Sequence, residues 1–68
     1  MLNALHTRWG ELLTNLTAQA HELADVDEED AMIQQLEHLL KTCPFRDIET
    51  RLWGLHDYVA ASLRQHPS

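Results

Sequence analysis

Apolar residues recur at gaps of three and four along nearly the whole chain, and no stretch alternates apolar with polar residues as a half-buried strand does. This periodicity restricts the chain to an all-α fold. The first run is Leu2, Leu5, Trp9, Leu12, Leu16, Ala20 and Leu23, one apolar stripe whose heptad-like seam is interrupted where Gln19 takes a core position. The second is Met32, Ile33, Leu36, Leu39, Leu40 and Cys43, an arc about 120° wide that suits a helix with two neighbours. The third is Phe45, Ile48, Leu52, Leu55, Val59 and Leu63. Trp53 and Tyr58 flank that last stripe, at about +100° and −120° from Leu52.

The spacing predicts helices over about 2–23, 28–42 and 45–65, in a single domain spanning 1–68. Asp27 is the expected N-cap of the second helix, with acids in the turn that follows. Pro44 ends that helix, because it disfavours helical geometry in the residue before it, and it suits the first position of the next. Short connections imply a small antiparallel helical bundle of three helices running up, down and up. If Pro44 only kinks the chain, the alternative is a bent helical hairpin, which could cover its wide apolar face only by dimerising.

With 68 residues, such a domain buries only about 60% of the surface its unfolded chain exposes. Its core then supplies on the order of 3–5 kcal/mol net. A single cysteine, Cys43, excludes a disulfide framework. No apolar run is long enough for a bilayer, and Met1-Leu2-Asn3 opens no leader-like segment, so a cytoplasmic protein with no membrane partner is expected.

The formal charge is −6, which argues against direct nucleic-acid binding, because that needs Lys and Arg to displace counterions from phosphates. Most of the excess lies in one place: Glu22, Asp25, Asp27, Glu28, Glu29 and Asp30. This acidic patch reads first as a solvated turn leading into a helix N-terminus. Its functional reading is a decoy that occupies a basic, nucleic-acid-binding surface of a target protein.

Catalytic constellations are missing. His6, His21, His38, His56 and His66 include no pair three or four residues apart, so no helix aims two imidazoles at one metal ion. A histidine-based metal site is therefore the weakest reading, and no cofactor is expected. Cys43 falls on the apolar arc of its helix, where a thiol is inert; as N-cap of the third helix it would be more acidic. Glycine-rich phosphate cradles are absent too. The chain reads as a non-enzyme.

What remains is surface. Trp53, His56 and Ala60 share one flank of the third helix with Glu49 at the rim, and Leu13 widens the stripe of the first. These five residues are the expected partner-binding set, since exposed tryptophan is strongly enriched at binding hot spots. The expected function is a helical protein–protein interaction module, an adaptor, co-chaperone or inhibitor that docks an apolar helix face on another protein. A homodimer is the competing use of that face. Leu5-x-x-Arg8-Trp9-x-Glu11-Leu12-Leu13 is similar to the final-helix pattern of spectrin repeats. The likeness covers nine residues and carries no function to the rest of the chain.

Overall fold

A computed structural model describes the backbone of residues 2–65 and the side chains of 3–65. The expected apolar position Leu2 and the fifth histidine, His66, lie outside those side chains. Three helices are formed: α1 (Leu2–Ala20), α2 (Val26–Thr42) and α3 (Arg46–Gln65). No strand occurs among the described residues.

Side-chain contacts between helices establish the topology. His6 meets Asp47, and His21 meets Tyr58, so α1 and α3 run in the same direction. Glu29 meets Ser62, and Glu37 meets His56, so α2 runs against α3. This is the up-down-up order. Helix α3 is the central member: both α1 and α2 pack on it and hardly on each other. The arrangement leaves 4991 Å² of accessible surface. A compact monomer of 7.9 kDa exposes about 4,400 Å².

Each boundary has a local cause, and three differ from expectation. α1 ends at Ala20 rather than near residue 23, and the Glu22 N–H closes a tight turn on the Gln19 carbonyl at 3.0 Å. α2 begins two residues early because Asp25, not Asp27, is its N-cap. Asp25 is extended (φ −145°, ψ 173°), and its Oδ1 accepts from the Glu28 N–H at 2.9 Å. Glu28 reaches back to accept from the Ala24 N–H at 3.0 Å, one residue beyond the usual capping-box donor. The earlier start also places Asp27, Glu28 and Glu29 in the first turn, where the helix dipole favours carboxylates.

At the second junction Cys43 leaves helical geometry (ψ 120°) and caps α2, its N–H bonding the Leu39 carbonyl at 2.9 Å. Its thiol donates to the Phe45 carbonyl at 3.3 Å, so it does not cap α3. Pro44 therefore breaks the helix rather than kinking it, which removes the continuous bent arm. α3 starts at Arg46, not at residue 45.

The core comprises Leu13, Leu16 and Ala20 from α1, Met32 and Leu36 from α2, and Ile48, Leu52, Leu55 and Val59 from α3. Trp9, Leu12, Leu23 and Phe45 pack against it half-buried. Burying a large aliphatic side chain contributes roughly 1.5–3 kcal/mol, and Leu16, Leu36, Leu52 and Val59 are essentially sealed from water. The stripe of α1 is turned relative to expectation. Leu13 is 7% exposed, whereas Leu5 is 44% exposed. The reason is that α3 lies on the His6–Leu13 flank of α1, which draws Leu13 inward. Gln19 faces solvent, and Ala20 takes the core position next to it.

Candidate interaction surface

Glu49, Trp53, His56 and Ala60 follow one another by four, three and four residues, so α3 carries them on one flank. That flank borders α2. Trp53 is 48% exposed, and with Glu37, Leu40 and Lys41 of α2 it lines an open groove of about 340 Å³. The His56 ring stands edge-on to the indole, with centroids 5.3 Å apart. His56 hydrogen-bonds α2 through one nitrogen only: Nε2 lies 3.3 Å from Glu37 Oε2, whereas Nδ1, 3.6 Å from Asp57 Oδ1, is buried without a hydrogen bond. Glu49 and Ala60 are half-buried at the two ends of this flank.

The fifth expected member, Leu13, does not join them. It belongs to the core, and its exposed edge borders a different groove, between α1 and α3. That groove is lined by Leu13, Thr14, Thr17, Ala18, His21 and Arg51. Its threonine hydroxyls are committed to their own helix, Thr14 to the Gly10 carbonyl and Thr17 to the Leu13 carbonyl. Tyr58, 49% exposed, stands on this side of α3, its hydroxyl 3.3 Å from His21 Nδ1. Trp53 and Tyr58 are about 140° apart round the helix. The exposed apolar side chains are thus spread over several faces instead of forming one patch.

The acidic patch is a solvated surface at every position but one. Glu22, Asp25, Asp27, Glu28 and Asp30 are exposed, and Asp30 accepts from the Gln34 amide at 3.2 Å. Asp25 and Glu28 are occupied by the cap of α2. Glu29 departs from expectation: it is 3% exposed and accepts from the Ser62 hydroxyl of α3 at 2.6 Å. A signal for this was present in the sequence. Glu29 precedes Met32 by three residues and Leu36 by seven, which places it on the core-facing side of α2.

Elsewhere, His6 joins α1 to the start of α3. Its Nε2 lies 2.7 Å from Asp47 Oδ2, and its ring meets the Phe45 ring edge-on at 4.8 Å. The hydrogen bond from His6, foremost, holds the Asp47 carboxyl below its ordinary value of 3.8; a lesser contribution comes from the Ile48 N–H. Sequence reasoning did not foresee this junction, because it joins residues 41 positions apart.

Among the described residues, no three His, Cys, Asp or Glu side chains converge as metal ligands would. None of the described helices is long and apolar enough to cross a membrane. No family model matches the chain, and comparisons with curated proteins and with solved structures likewise found no match.

Proposed function

We propose that this chain is a non-enzymatic interaction module that acts in the cytoplasm by docking its α2–α3 face on another protein, as an adaptor, co-chaperone or inhibitor does. The observation that carries this reading is Trp53: a half-exposed indole beside Leu40, in edge-on contact with His56. An indole left in water costs free energy that a partner can recover. Such residues contribute about 2 kcal/mol or more where they fill a partner's pocket.

The acidic-decoy reading draws less support, because Asp25 and Glu28 serve the cap and Glu29 is buried. Immobilised wild-type protein and Trp53→Ala, matched in helicity and sedimentation, can be compared for the proteins each retains from a cell extract. Loss of a retained protein in the variant is expected. Equal retention by both removes the Trp53 face from the reading.

A further inference from the structure

We propose that the groove beside Trp53 receives a basic amphipathic helix from another protein; this rests on the docking reading above and adds the chemistry of the occupant. One carboxylate lines the groove with the indole, and two more lie a turn away from it on its own helix. Glu49 precedes it by one turn of α3, Asp57 follows it by one turn, and Glu37 stands across the groove on α2. Lys41 is the one basic residue lining the groove. The α2 wall, Glu37 to Lys41, also belongs to the last turns of that helix, where the dipole is negative and attracts cations.

An apolar centre with a carboxylate rim complements a helix that presents one aliphatic anchor between Lys or Arg residues. The groove volume of about 340 Å³ lies at the lower end of ligand pockets, at roughly 300 Å³. Being open, it suits an anchoring side chain better than an enclosed small molecule. A second copy of the chain is the poorer occupant. It would bring the same carboxylates, and a further formal charge of −6, against this face.

The test uses the full chain carrying Trp9→Phe, so that Trp53 is the sole indole, and three synthetic peptides of about 18 residues, long enough for five turns. One is amphipathic with Leu at helical spacing and Lys or Arg elsewhere. The second replaces the bases with Glu, and the third scrambles the first so that no apolar stripe remains. Should Trp9→Phe reduce helicity, the wild-type chain is titrated instead and the Trp53 indole N–H is followed by NMR.

We expect only the basic amphipathic peptide to shift the Trp53 signal. Calorimetry should show affinity falling about thirtyfold for Trp53→Ala, the equivalent of a hot-spot residue. Glu49→Lys combined with Asp57→Lys should move the preference toward the acidic peptide. Equal binding of the scrambled peptide, or an unmoved Trp53 signal with every peptide, overturns the proposal. If both amphipathic peptides bind alike and Trp53→Ala abolishes both, the docking face stands and the basic occupant is refuted. Sedimentation showing a dimer that shields Trp53 from quencher refutes it as well, in favour of a second copy.

Discussion

Leu36 and Leu5 are the same residue in opposite environments, so truncating each to alanine tests the packing directly. Leu36 is 0% exposed, whereas 44% of Leu5 faces water. Leu→Ala removes three carbons, about 2.4 kcal/mol of transfer free energy at roughly 0.8 kcal/mol per methylene. At Leu36 the whole of that is lost, and the residual cavity raises the cost to about 3–5 kcal/mol. At Leu5 only the buried share is lost and no cavity forms, which leaves about 1.3 kcal/mol. A core this small supplies on the order of 3–5 kcal/mol in total. Leu36→Ala should therefore be largely unfolded at room temperature, whereas Leu5→Ala should lose roughly 5–10 °C in Tm. Leu36→Met, which conserves volume and costs less than about 1.5 kcal/mol, keeps the site measurable. Urea titrations followed by far-ultraviolet circular dichroism give the values for Leu5→Ala and Leu36→Met, and for Leu36→Ala should show no folded baseline. If Leu36→Ala comes within about 1 kcal/mol of Leu5→Ala, then α2 is not seated on the core as described, and the reasoning from burial to stability fails here.

Four further outcomes are expected. Asp25→Ala should cost about 1 kcal/mol through loss of the N-cap, and Asp27→Ala clearly less; a larger effect at Asp27 in urea titrations would restore the later helix start. Because its folded value is lowered, Asp47 contributes stability that is complete above the ordinary 3.8 and is lost as pH falls through the lower folded value. His6→Ala should accordingly flatten the acid limb of a pH–stability curve, and carboxyl NMR should show Asp47 moving back up. Ser62→Ala removes one hydrogen bond to buried Glu29 and should cost about 1 kcal/mol, checked by chemical denaturation. Gly10 and Gly54 lie within helices, with no positive φ and open space where a Cβ would go. Alanine at either should stabilise the fold by about 0.5–1 kcal/mol in thermal melts.

The helical class, the number of helices and the antiparallel order were legible from three runs of apolar residues and one proline. Periodicity of this kind is local: it reports which residues share a face of their own helix, and that needs no knowledge of neighbours. The break at Pro44 followed equally from a single residue's stereochemistry. The exposed position of Trp53 was legible too, from its offset to the stripe at Leu52.

Which part of a face becomes core is another matter. Leu13 and Leu5 are equivalent as leucines on a broad stripe, and only the seat of α3 against α1 buries the first and leaves the second in water. The cap moved from Asp27 to Asp25 because several neighbouring acids are all competent, and the one chosen is the one that also brings Glu28 back to the Ala24 N–H. Glu29, grouped by sequence with solvated acids, was drawn inward by the same turn of α2 that buries Met32 and Leu36.

By itself, then, the sequence determined that this chain forms three amphipathic helices and where they separate, because helix formation and its interruption depend on residues within a turn or two. Only the packed structure settles that α3 is the axis on which the others lean, that histidines join residues far apart in the chain, and that Trp53 shares a groove with Glu37, Leu40 and Lys41. Those outcomes depend on how helices rotate and seat against one another, which is set by the summed packing of all three and written in no single segment.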